Sequence, residues 1–179
     1  AKDLGKPVLG AGTLAVITAV ARLSNMTAAG SENPSPLAAM SGSPKNPVLP
    51  TADAVTNAPD VFRAAVAGAP VTDWKHYDSI YTERYMGTPE GNPKGYETSS
   101  PLQNAGALEA DLLLIHGASD DNVHLANTLS FVAALVKAGK PYALQVHPRQ
   151  LHGFRPKEDR ISRDRTVLAH FERTLLAGP

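Results

Sequence analysis

Apolar and polar positions are spread unevenly along the chain, and the second two thirds carry the clearer pattern. Residues 62–69 (FRAAVAGA) form a short apolar run bounded by Asp60 and Pro70, the mark of a strand buried on both faces of a parallel sheet. Residues 112–115 (LLLI), closed by His116 and Gly117, are a second such run, and residues 142–146 (YALQV) a third. Between these last two, residues 125–138 (LANTLSFVAALVKA) repeat apolar side chains at 125, 129, 132, 135 and 136, a helical spacing, with Gly139 as the C-terminal stop. Strand, helix and strand in that order make a right-handed crossover. A last helix over roughly 163–176 sets Val167, His170, Phe171 and Leu175 on one side. The alternation predicts an α/β fold, a mostly parallel sheet flanked by helices.

The first third reads differently. Gly, Ala, Ser, Pro and Asn dominate it, and over 28–50 the prolines at 34, 36, 44, 47 and 50 deny backbone donors to any regular element, which predicts loop. Only residues 13–23 have a helical look, from their Ala and Leu content, with the β-branched Val16, Ile17, Thr18 and Val20 counting against it. The chain therefore divides near Asn57, into an irregular segment over 1–57 holding one helix at 13–23 and an α/β unit over 58–179. No internal repeat is present.

Composition narrows the functions available. A chain of 179 residues that is 42% hydrophobic can bury one core. Lys and Arg number 17 against 17 Asp and Glu, so no excess charge draws it to nucleic acid or to an anionic membrane, and the expected partner is a small molecule or a peptide. The absence of cysteine excludes disulfides, thiolate metal sites and a Cys nucleophile, and leaves the compartment open. The most apolar stretch, 13–20, is interrupted at Arg22 and too short to cross a bilayer, which predicts a soluble chain or the soluble part of a larger one.

In open parallel sheets, ligands meet the loops beyond the carboxyl ends of the strands. Two such loops carry reactive side chains: 116–124 (HGASDDNVH), with Asp120 and Asp121, and 150–154 (QLHGF), with His152. A serine hydrolase needs an imidazole to take the hydroxyl proton and a carboxylate to hold that imidazole, in the chain order Ser, Asp, His on α/β-hydrolase folds. Competing readings are that Asp121 or Asn122 caps the crossover helix and that His152-Gly153 is a plain turn. His116, His124, Asp120 and Asp121 are neighbours in sequence but lack the spacing of a metal site, so neither metal nor cofactor is expected.

The wording of these motifs goes further. Residues 61–87 (VFRAAVAGAPVTDWKHYDSIYTERYMG), 113–124 (LLIHGASDDNVH) and 151–153 (LHG) closely resemble the catalytic domain of the prolyl oligopeptidase family, in its dipeptidyl-peptidase IV-like branch, over about two thirds of the chain. The resemblance implies a partial α/β-hydrolase fold and a serine peptidase that cleaves peptides after Pro or Ala through an acyl-enzyme. It implies Asp120 as the triad acid and His152 as the base. It maps the pocket for the residue before the scissile bond onto Val71, Trp74, Tyr77 and Tyr81, with Val123 beside them and Asn122 reaching the substrate carbonyl. Aromatic walls suit proline, whose ring is flat, apolar and rigid, although core packing is the competing role for these side chains. Family members often pair through the region of the last strand and helix, which implies a homodimer.

The chain departs from the family at the nucleophile. The family's Gly-Trp-Ser-Tyr-Gly-Gly elbow falls, by spacing, near Lys45, where residues 41–46 read SGSPKN and no Gly-x-Ser-x-Gly occurs. Ser43 is the nearest serine and lacks the flanking glycines that a sharp strand-to-helix turn requires. Also missing are the early strands, the oxyanion-hole tyrosine and the propeller domain. Two other functions compete with the peptidase: a hydrolase-like binding module without a nucleophile, and an esterase or acylaminoacyl-peptidase, which the aromatic box disfavours.

Overall fold

The computed structural model describes residues 18–21 and 51–176. Ser43 and most of the segment expected to be irregular lie outside the described residues. A four-stranded sheet in the order β1-β2-β3-β4 organises the rest, with β1 at Thr18–Ala21, β2 at Phe62–Gly68, β3 at Asp111–Gly117 and β4 at Ala143–His147. Strands β2, β3 and β4 are parallel, with Val66 opposite Leu113 and Leu114 opposite Leu144. These are the three apolar runs of the sequence.

The helix expected over 13–23 is corrected wherever the two can be compared: Thr18–Ala21 is a strand, antiparallel to β2, with Thr18 opposite Val66. Its neighbours in the sheet supply backbone partners that an isolated segment lacks, and the β-branched side chains that count against helix are those that favour a pleated surface. The remainder of 13–23 lies outside the described residues.

Both faces of the sheet are covered, which is why β2 and β3 are apolar almost throughout rather than alternating. On one face lie α1 (Thr51–Asn57) and α4 (Ala126–Lys137), and there Ala52, Val55, Leu112, Leu114, Phe131 and Leu135 form one buried cluster. The other face carries α5 (Lys157–Phe171), which runs on into a wider π-helical turn over Glu172–Leu176; Val167 and Phe171 pack there against Val66, Leu113 and Ile115. Successive residues of β3 thus serve opposite layers, as strand geometry demands. Phe131 and Leu135 are wholly buried, each stabilising the fold by roughly 1.5–3 kcal/mol. Ala52 and Val55 belong to the same cluster as Leu112, so the core continues across residue 57.

Helix α4 ends as its sequence predicts. Gly139 adopts φ 67°, its N–H reaches the Val136 carbonyl, and the Lys140 N–H reaches back to Leu135 at 2.9 Å. At its start, neither Asp121 nor Asn122 is the cap; Leu125 holds that position with no side-chain hydrogen bond. Helix α5 begins at Lys157, earlier than the expected 163, because its first turns are polar and carry no apolar rhythm; Glu158 and Asp159 there suit the positive helix end.

The excursion between β2 and β3 holds two further helices that apolar periodicity does not reveal. Helix α2 (Ser79–Met86) is capped by Asp78, whose carboxylate accepts from Tyr81 N, and α3 (Pro93–Thr98) by Asn92 with Pro93 in its first turn. The chain leaves β2 through Ala69 at φ 43°, a left-handed conformation unusual for alanine and disfavoured before proline, which turns Pro70 and Val71 out of the sheet. Because β3 and β4 are parallel, with Gly117 opposite His147, the loops that follow them emerge at one rim.

Candidate active site

The acid loop leaves β3 at Gly117 and the base loop leaves β4 at His147, and main-chain atoms hold the two together. Ala118 N donates to the His147 carbonyl at 2.9 Å and Ser119 N to the Gln150 carbonyl at 3.0 Å. At Gly117 a side chain would collide with the carbonyl oxygens of Gln150 and Leu151, so glycine is what lets the loops approach this closely. Farther along, Gln150 Nε2 donates to Asp159 on the first turn of α5, which ties the base loop to that helix.

Asp120 and His152 meet across this rim. His152 Nδ1 donates to Asp120 Oδ2 at 2.9 Å, which leaves Nε2 as the nitrogen on the far side of the ring. Asp120 Oδ1 accepts from the backbone N–H groups of Asn122 at 3.0 Å and Val123 at 2.9 Å. The carboxylate is fully buried, and a second imidazole nitrogen, His116 Nε2, lies 3.3 Å from Oδ2. Burial pushes the Asp120 carboxyl up, but hydrogen bonds from His116, His152 and Asn122 N outweigh it and hold the group well below the usual carboxylate range. It is therefore an anion at neutral pH, able to fix the imidazole's tautomer and stabilise its cation. Asp121 has no part in this contact.

The aromatic residues form one cluster beside the acid loop. Trp74 lies stacked against Tyr81 at 6.3 Å between ring centroids and edge-on to Tyr77 at 6.0 Å, while Tyr77 and Tyr81 are 5.8 Å apart. Tyr85 continues the row at 5.0 Å from Tyr81. The Tyr77 hydroxyl donates to Asn122 Oδ1 at 3.0 Å and so joins the cluster to the loop bearing Asp120. Burial and the Asp78 charge push the Tyr77 phenol up, keeping it a neutral donor. Val123, on the acid loop itself, is buried, and Val71 is half-buried at the head of the segment that leads to Trp74.

That segment is anchored by a side chain the sequence alone does not single out. Asn127, buried in the first turn of α4, accepts from Thr72 N at 3.3 Å and Asp73 N at 3.4 Å, and its carbonyl takes the Thr72 hydroxyl at 2.6 Å. Ser100 adds a bond to the Thr72 carbonyl at 2.8 Å. His116 and Thr128 are likewise unforeseen; the signal available was a run of polar residues, Asn127-Thr128, at the start of an otherwise apolar helix. His152 also lines a cavity of about 330 Å³ between the sheet and α5, with Val66, Ile115, Phe154, Val167 and Phe171. Among the described residues no three His, Asp or Glu side chains are grouped as metal ligands, and no helix is long and apolar enough to cross a membrane.

The chain is 49% identical over 102 residues to dipeptidyl peptidase 8 of Homo sapiens, a match covering 55% of this chain and 11% of that protein. It is 52% identical over 99 residues to dipeptidyl-aminopeptidase B of Aspergillus niger, covering 54% and 11% respectively. Among solved structures it is similar to dipeptidyl peptidase 4 of Porphyromonas gingivalis, with a TM-score of 0.61 and 39% identity over 66% of this chain and 17% of that one. The chain thus spans about a tenth of the length of the curated relatives it matches. Its sheet and flanking helices are a partial α/β-hydrolase fold. The profile of the prolyl oligopeptidase family matches residues 49–177, and this chain belongs to that family.

Proposed function

We propose that this chain provides the acid–base pair and the proline-accepting wall of a serine peptidase that releases dipeptides, with peptides as substrates. The observation that carries the reading is the 2.9 Å contact between His152 Nδ1 and Asp120 Oδ2, on adjoining strand-end loops beside a cluster of Trp74, Tyr77 and Tyr81. In the reaction a serine oxygen attacks the carbonyl carbon of the pocketed residue as its proton passes to His152 Nε2. The C–N bond then breaks, the amine leaves with that proton, and water cleaves the acyl ester by the same route. Asp120 keeps the ring oriented and offsets its positive charge. The proline ring rests among Val71, Trp74, Tyr77, Tyr81 and Val123. Tyr77 engages the Asn122 oxygen, so the amide's NH₂ is the end that donates to a substrate carbonyl. The attacking serine is not placed by any Gly-x-Ser-x-Gly sequence; Ser43 is the nearest serine by sequence position and lacks the elbow's glycines.

An activity-based fluorophosphonate probe tests this. Labelling of one serine, located by peptide mass, together with turnover of a prolyl-dipeptide anilide that His152→Ala abolishes, is the expected result. Absence of both overturns it.

A binding module is the second reading, favoured by the lack of any Gly-x-Ser-x-Gly sequence. It predicts that His152→Ala leaves peptide affinity unchanged. For a partner chain, a second copy fits: edge strand β4 exposes Leu144 and Val146, each more than a third accessible. Light scattering of the wild type and of Leu144→Lys would show a dimer and its loss.

A further inference from the structure

His116 is buried at the end of β3, 1% exposed, and the peptidase mechanism makes no use of it. Its Nε2 lies 2.8 Å from the Val123 carbonyl, and a carbonyl only accepts, so Nε2 carries a proton. Its Nδ1 lies 2.7 Å from the Thr128 hydroxyl, on the first turn of α4. In the neutral ring that hydroxyl donates to Nδ1, which fixes a single tautomer and a single ring orientation. The same Nε2 lies 3.3 Å from Asp120 Oδ2, so the proton it donates to the carbonyl sits beside the carboxylate as well.

The acid loop is therefore wrapped around this ring, touching it at Asp120 and at Val123. Of the four groups around the carboxylate, two are the loop's own amides on Oδ1 and the third is His152 itself. Among the described residues, His116 is the side chain that reaches Asp120 Oδ2 from outside both the loop and the base. Without it Oδ2 would face His152 with no second donor to set its direction.

We propose that His116, held by Thr128, is a positioning residue that aims Asp120 Oδ2 at His152 and keeps the carboxylate ionised in its buried site. The proposal rests on the pairing of Asp120 with His152 described above. The readout is the far-downfield NMR resonance of the His152 Nδ1 proton in the ¹⁵N-labelled chain, and its exchange with water. Disappearance of this resonance in Asp120→Asn assigns it. His116→Phe removes the donor and should speed exchange about tenfold or more. His116→Gln, whose amide nitrogen can take the place of Nε2, should restore slow exchange, whereas His116→Asn, which reaches only the Nδ1 position, should not. Thr128→Val keeps the volume, removes the hydroxyl that holds the ring, and should speed exchange several-fold.

Unchanged exchange in Thr128→Val and in a folded His116→Phe would overturn the proposal. If His116→Phe does not fold, Thr128→Val and the Gln–Asn contrast decide alone. A wild-type chain with no such resonance would instead remove the Asp120–His152 pairing, and the proposal with it.

Discussion

Tyr77 donates its hydroxyl to Asn122 at 3.0 Å, and through that bond the aromatic wall is connected to the turn that bears the carboxylate. The two are 45 residues apart in sequence, in different excursions from the sheet. On the proposed reading, recognition and acid–base chemistry share this joint.

Replacing Tyr77 with Phe should cut that joint while leaving the ring packing in place. The expected loss is about 0.5–1.5 kcal/mol of stability, measured by urea unfolding. Affinity for a prolyl peptide should fall in the same variant, measured by calorimetry. Unchanged stability and affinity would mean that the bond has no role in solution.

Gly117→Ala is expected to be costly for steric reasons, since the new methyl group meets two backbone carbonyls rather than a flexible side chain. Overpacking of this kind typically costs about 1–3 kcal/mol. Thermal unfolding should show it, and the His152 Nδ1 proton signal should shift or vanish as the loops separate. A silent substitution would show that the two loops have room to part.

Asp120 ties stability to acidity. Its folded carboxyl is held below the ordinary 3.8, so its contribution is fully present above that value and is lost as pH falls toward the folded one. Denaturant unfolding measured from pH 2 to 6 should therefore show a steeper loss below about pH 4 in the wild type than in Asp120→Asn. Parallel curves would contradict the environment described for the group.

Phe131→Ala tests the core that supports α4. The side chain is wholly buried against Leu112 and Leu114, and its removal should cost about 3–5 kcal/mol. Because α4 carries both Asn127 and Thr128, the pocket segment and the acid loop should loosen together, readable as faster amide exchange at Thr72 and Val123.

Strands β2 and β3 were legible because burial on both faces leaves continuous apolar runs, β4 as a short apolar run despite its exposed Leu144 and Val146, and helix α4 from its apolar spacing and the conformational freedom of Gly139. The contact between Asp120 and His152 was legible from chain order and motif. Strand β1 was not, since four residues with Ala and β-branched side chains take the form their neighbours dictate, and pairing with β2 decided it. Helix α2 exposes most of its surface, Ile80 included, so no apolar stripe announces it; only Asp78 and Gly87 at its two ends do. His116 and Asn127 were missed for another reason. Asn127 bonds backbone groups about 55 residues away, and His116 binds a helix hydroxyl and its own following turn; neither relation is encoded in composition or periodicity.

The acid and base turns are laced by main-chain bonds from Ala118 to His147 and from Ser119 to Gln150. Such lacing tolerates exchange of outward-facing side chains but not a change in loop length, because one added or deleted residue would move every later donor off its acceptor. Changes in length are better placed elsewhere, as in the exposed turn over 87–91 between α2 and α3. An engineer wishing to splice a new module into this fold would do so there, and would leave 117–125 and 147–153 at their present lengths.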